Sequence, residues 1–180
     1  MQTRAQTTSR GLKAAALAIV LVTATGPVTA QSYMANSADE VTQVARLFGT
    51  AELDLSGSDG RPMVRGQING TNYGILMYGC EGSFGCDSVQ FFASFGTPSN
   101  GLDFLNQWNA DKRFAAAYRN DSGDVILQYN ANIDLGVSRA NFEDTMDIWR
   151  LTLGQFVDRL NGLPEGTTSG TLGTTSAPSK

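Results

Sequence analysis

Phe142, Met146, Trp149, Leu153, Phe156 and Leu160 recur at intervals of three and four residues near the end of the chain. At about 100° per residue all six fall within about 40° of one line, so a helix here presents a single apolar stripe. Ser138 is placed to cap its start, and Gly162 and Pro164 to stop it near Asn161. A stripe this long and aromatic needs an apolar surface of similar length to cover it, which restricts the chain to folds that supply one. Reading Met146 or Trp149 as cofactor contacts adds nothing, because burial alone explains so regular a spacing, and no cofactor is expected. Leu151 lies nearly opposite the stripe and is therefore expected to be exposed.

The covering surface is legible upstream, where the apolar period changes to two. Ala51, Leu53 and Leu55 alternate with Glu52 and Asp54. Met63–Ile68 then faces residues 73–79 across Asn69-Gly70, a tight-turn pair that tolerates positive φ at both central positions. In residues 87–95, Val89, Phe91, Ala93 and Phe95 point one way and Ser88, Gln90 and Ser94 the other, with Phe92 on the polar side. Residues 113–119 and 124–133 read as a second hairpin, with Phe114, Tyr118, Val125, Leu127, Tyr129 and Ile133 expected inward. Two shorter helices complete the set. Ser37 and Glu40 form a capping box before Val41, Val44, Ala45 and Phe48, with Gly49 as the expected stop. Residues 102–109 carry Leu102, Phe104, Leu105 and Trp108 as a connector. The element order is α-β-β-β-β-α-β-β-α, an α+β domain with an antiparallel sheet and helices packed on one face.

The chemistry is bounded by what the 180 residues lack. There is no histidine, which removes the commonest general base near neutral pH and the commonest metal ligand, and with them Ser-His-Asp, Cys-His and His-metal sites. No metal or nucleotide is expected. The glycine-rich stretches are not followed by Lys-Ser or Lys-Thr, and Asp121 to Asp124 reads as a hairpin turn, since the spaced ligands and final Glu of a calcium loop are missing. Glu143-Asp144 could serve a carboxylate-dependent hydrolase, but acids early in a helix complement its dipole. Thirteen basic against seventeen acidic residues, net −4, with no basic cluster, disfavour nucleic acid.

Residues 1–30 have the grammar of a secretory signal: Arg4, Arg10 and Lys13, an apolar run over residues 14–24, then Gly26-Pro27 and small residues before a cleavage point at Ala30/Gln31. Eleven apolar residues are about half of what spans a bilayer, so membrane insertion after cleavage is not expected. Cleavage removes three positive charges and leaves ten basic against seventeen acidic residues, net −7. The expected location is periplasmic or secreted. There Cys80 and Cys86, in G-C-E-G-S-F-G-C, read as a structural disulfide rather than a redox pair, which ordinarily has two intervening residues at a helix start. Residues 31–162 form the expected domain, and residues 163–180, rich in Thr, Ser and Gly, are expected to be disordered.

Three consecutive segments, FLNQWNADKRF, AAAYRNDSGDVILQYNANID and LGVSRANFEDTMDIWRLTLGQF, resemble the YbjN domain family, labelled as a bacterial sensory transduction regulator. The matching features are Asn106 and Asn109, the Arg113-Phe114 strand opening, the turn at Asp121 to Gly123, and Gly136-Val137-Ser138 leading into an aromatic-rich helix. The resemblance covers residues 38–161 and implies a fold like the type III secretion chaperones. It carries no catalytic residues.

The function expected is an exported, non-catalytic binding or regulatory module with a protein or peptide partner. The alternatives are a structural or homo-oligomeric envelope component, including a symmetric homodimer, and a hydrolase using carboxylates. Leu76, Tyr78, Phe92 and Leu151 form the expected partner surface, because they are apolar where the pattern calls for polar side chains. Mass spectrometry of the protein recovered from its producing cell is expected to find Gln31 at the N-terminus and no alkylatable thiol. A chain that starts at Met1 and carries two free cysteines would refute both expectations.

Overall fold

The computed structural model describes residues 34–56 and 60–168. The expected cleavage site at Ala30 and Gln31, the rest of residues 1–33, and residues 169–180 of the expected tail lie outside the described residues. The elements are β1 (Met34–Ala35), α1 (Ala38–Ala45), β2 (Thr50–Asp54), β3 (Met63–Ile68), β4 (Thr71–Tyr78), β5 (Ser88–Ser94), α2 (Leu102–Asp111), β6 (Ala116–Arg119), β7 (Val125–Asn132), β8 (Val137–Ser138) and α3 (Arg139–Leu160). β2 to β7 form one antiparallel sheet in the order β2-β3-β4-β5-β7-β6, with helices covering one face. The α+β class and the order of helices and strands are those expected. The two-residue strands β1 and β8, which pair with each other, are too short to leave a periodic signal.

The stripe of α3 is the centre of the core. Phe142, Met146, Trp149, Leu153 and Phe156 are fully or almost fully buried. Phe91 of β5 stacks on Trp149 at 5.6 Å and on Phe142 at 6.3 Å between ring centroids. Phe156 packs among Trp108, Phe95 and Phe104 at 4.8–5.9 Å. Tyr73 reaches the same layer from β4, and its ring lies over Gly66, its partner across β3. A Cβ on Gly66 would come within 2.6 Å of that ring, so a glycine is needed there.

Both predicted caps form. The Ser37 hydroxyl accepts from the Glu40 N–H while the Glu40 carboxylate accepts from the Ser37 N–H, and Ser138 accepts from the Asn141 N–H. Two local readings need correction. α1 ends at Ala45, and Gly49 serves close approach instead, since a Cβ there would sit 2.1 Å from the Gln67 carbonyl oxygen. Tyr118 points outward at 45% exposure. Ala115, in the left-handed region at φ 55°, interrupts the alternation, so Phe114 packs against Tyr129 on the inner side while Ala117 takes the buried position of β6.

The outer edge of β6 is closed by α2. The Asn109 side chain donates to the Ala117 carbonyl at 2.9 Å and accepts from the Ala117 N–H at 2.8 Å, mimicking a neighbouring strand. Trp108 Nε1 donates to the Ala115 carbonyl at 3.0 Å.

The first residues of the expected tail are bound rather than loose. Leu163 to Thr168 turn back over the end of α3 and enclose the Asp158 carboxylate, which is fully buried. It accepts from the Gly166 and Thr168 N–H groups at 2.8 and 3.0 Å and from the Thr168 hydroxyl. Composition misses this clasp because a single buried carboxylate, not apolar area, organises the segment. Burial raises the Asp158 pKa, but the bonds from the Thr168 side chain and from the Thr168, Gly166 and Thr167 backbone outweigh it and hold the value below the ordinary 3.8. Glu165 is likewise lowered, first by its bond to Lys112 and then, against partial burial, by Arg159.

A carboxylate with a depressed folded-state pKa contributes fully above its unfolded value and loses that contribution as pH falls through the folded one. Exchange protection of the Gly166 and Thr168 amides is therefore expected to be constant above about pH 4 and to fall on further acidification. Asp158→Asn is expected to lose the protection at all pH values. Protection in that variant equal to wild type would remove the carboxylate from this role.

Candidate functional site

Alternation along the strands gives the sheet two unlike faces. The inner face, under the helices, carries Tyr73, Ile75, Met77, Val89, Phe91 and Leu127. Among the described residues no helix covers the outer face, where the strand register builds side-chain rows from edge to edge. One row runs Glu52, Arg65, Gly74, Phe92, Gln128 and Ala116; the next runs Asp54, Met63, Leu76, Gln90 and Asn130. Leu76, Tyr78 and Phe92, read from the sequence as partner-surface residues, all lie on this outer face. Leu151 does not: it sits on α3, which packs against the other side of the sheet, at 38% exposure. A departure from helical periodicity shows that a residue leaves its own stripe, but not which side of the molecule it reaches.

The Gly74–Phe92 pair shapes the face. These residues are directly opposite across β4 and β5, and a Cβ on Gly74 would come within 2.4 Å of the Phe92 ring. The ring therefore lies flat over the glycine instead of standing off the sheet, leaving beside it a groove of about 340 Å³. Its lining includes Met63, Arg65, Asn72, Gly74, Phe92 and Ser94. The groove thus has apolar walls from Met63 and Phe92, a polar mouth from Asn72 and Ser94, and one cation. Gly74, Met63 and Arg65 were not singled out from the sequence. A glycine opposite an aromatic is visible only once the strands are in register.

The cation is balanced locally. Arg65 Nε lies 3.0 Å from Asp54 Oδ2. The Asp54 carboxylate also accepts from the Ser56 hydroxyl at 2.6 Å and the Ser56 N–H at 2.8 Å, and these bonds, with Arg65, lower its pKa to about 2. The Asp54 carboxylate therefore stays ionised well below neutrality, and it is not suited to accepting or donating a proton near pH 7. Toward the other end of the face the side chains bond one another. Tyr78 Oη donates to Gln90 at 3.1 Å, Gln90 Nε2 donates to Asn130 at 3.1 Å, and Arg61 lies 4.5 Å from the Tyr78 ring centroid.

Cys80 and Cys86 are joined as a disulfide between β4 and β5. Gly79, Gly82 and Gly85, all at positive φ, turn the loop. The bridge fastens the loop to the entry of α1, because the Ala38 N–H donates to the Ser83 carbonyl at 2.8 Å and the Cys86 N–H to Asn36 at 2.9 Å. Cys86 is buried, while Phe84 at the loop tip is 63% exposed. Closing so short a loop is worth about 2 kcal/mol in the chain-entropy model.

Among the described residues, no group of three or more His, Cys, Asp or Glu side chains could hold a metal ion, and no helix is long and apolar enough to cross a membrane. A family model for YbjN, described as "Putative bacterial sensory transduction regulator", matches residues 37–161, all three helices and the whole six-stranded sheet included. The chain belongs to the YbjN family. No curated protein matches it. The description given to this YbjN domain family is that of a regulator.

Phe91 and Phe92 separate the two faces in one experiment. Phe91→Ala is expected to cost about 3–5 kcal/mol in denaturant unfolding, as for a fully buried aromatic. Phe92→Ser is expected to cost less than about 2 kcal/mol, since the ring is only partly buried. Equal losses would assign the outer face to a covered core.

Proposed function

We propose that this YbjN chain is an exported, non-catalytic binding or regulatory module that recognises a protein or peptide partner with the outer face of its sheet. The observation that carries this reading is the groove at Gly74 and Phe92, with Leu76 and Met63 continuing the apolar surface on a face that no helix of the described residues covers. An aromatic laid flat over a glycine beside an arginine whose charge is already paired suits an extended or helical peptide with an apolar anchor. Nothing in that arrangement directs a bond-breaking step. Glu143, the best-placed acid for a hydrolase, is instead ion-paired with Arg139 at 2.7 Å along α3.

Export is supported by the signal-like residues 1–30 and by the disulfide, which suits an oxidising periplasmic or extracellular setting. A mature charge of −7 favours a neutral or basic partner.

A photo-crosslinking side chain placed at Leu76 or Phe92 in the producing cell tests the reading, with Leu151 as the control position. Discrete adducts are expected from the two sheet positions and not from Leu151. An adduct of twice the chain's own mass would replace the partner with a homodimer. Adducts from Leu151 alone would move recognition to the helical side.

A further inference from the structure

We propose that residues 169–180 of the chain itself occupy the outer-face groove when no partner is bound, with Leu172 seated beside Phe92. The inference rests on the reading of that face as the recognition surface and adds its regulation.

The Asp158 clasp turns residues 163–168 away from the axis of α3 and carries Thr168 to the β3–β4 hairpin, where Asn69 Nδ2 donates to the Thr168 carbonyl at 3.1 Å. That hairpin lies at the end of the groove lined by Asn72 and Ser94. Asn72, three residues along from Asn69, is already in its lining, and Gly74 follows two residues later.

Reach and chemistry agree with this placement. Gly74 and its cross-strand partner Arg65 lie four residues from the Asn69-Gly70 turn, about 13 Å at ~3.3 Å per extended residue, and Leu172 lies the same four residues from Thr168. Leu172 is the one large apolar side chain in S-G-T-L-G-T-T-S-A-P-S-K, so it is the segment's only anchor for walls made by Met63 and Phe92. The neighbouring Gly170 and Gly173 let the backbone lie close to the sheet, and Ser and Thr hydroxyls suit the Asn72 and Ser94 mouth. The segment's one charged side chain, Lys180, is cationic, and Glu52 and Asp54 stand on the same face.

A single-leucine contact is weak between separate molecules. Attached through four residues it works at an effective concentration in the millimolar range, enough for a tethered segment to compete with a dilute partner and yield to a better one. A groove nine-tenths occupied by the segment would weaken partner binding about tenfold.

Nuclear magnetic resonance on the full chain tests this. Leu172→Asp is expected to shift the Asn72, Gly74 and Phe92 amide signals and the Met63 methyl signal, while leaving the Ala117 and Trp149 signals unchanged. A stop after Thr168, which keeps the Asp158 clasp, is expected to give the same shifts. The synthetic peptide SGTLGTTSAPSK, added at millimolar concentration to the shortened chain, is expected to reverse them. Unchanged groove signals in both variants would overturn the proposal. If the groove signals do not move yet Phe92 still crosslinks a partner, the regulation falls and the recognition surface stands. If they move but no partner crosslinks at Leu76 or Phe92, the segment's docking stands and the partner reading falls.

Discussion

The packing of α3 on the inner face of the sheet is the contact on which the rest of this molecule depends. Phe91 stacks against Trp149 and Phe142, and Phe156 gathers Trp108, Phe95 and Phe104 around the other end of the helix. One helix thereby ties strands β4, β5 and β7 to α2. These aromatics bring large apolar areas out of water, and that burial is what offsets the entropy of ordering a sheet whose neighbours are distant in sequence. Once α3 commits to one face, the strand alternation forces every second residue onto the other.

That asymmetry leaves the outer face to be read from its own side chains. Sheets left open on one side are usually polar there, and most of this one is: Gln90, Asn130, Gln128 and Gln67 bond across strands or to neighbours. Phe92, Leu76 and Met63 break the pattern together, in adjacent rows, around a glycine that gives the ring room to lie down. The edges are treated differently. β6 is closed by the Asn109 amide, and at the other edge Arg46 Nε donates to the Ala51 carbonyl of β2 at 3.0 Å. With both edges carrying side-chain bonds, face recognition is better supported than strand addition.

The disulfide and the Asp158 clasp solve a similar problem at opposite ends of the domain. Each fastens an irregular segment to the end of a helix through backbone hydrogen bonds: the cysteine loop to the entry of α1, and the post-helix turn to the exit of α3. The first uses a covalent closure and the second a buried carboxylate saturated by donors. Neither depends on apolar area, so neither segment looks ordered by composition.

The sequence alone specifies the class of fold, because periodicity and capping are local. The six-residue stripe of α3, the Ser37–Glu40 box, the Asn69-Gly70 turn and the alternation of β5 each follow from neighbours a few residues apart. It determined the absence of histidine chemistry in the same way. The relations between segments were fixed only once the chain was folded. Tyr118 turned outward because one left-handed residue, Ala115, reset the alternation. Leu151 parted from Leu76, Tyr78 and Phe92 because a helix and a sheet face meet only in three dimensions. Gly74 acquired its meaning when strand register set it under Phe92, and Asp158 organised Thr168 because the chain returned to it. Local pattern records which side chains want burial, whereas register and chain reversal decide what each of them meets.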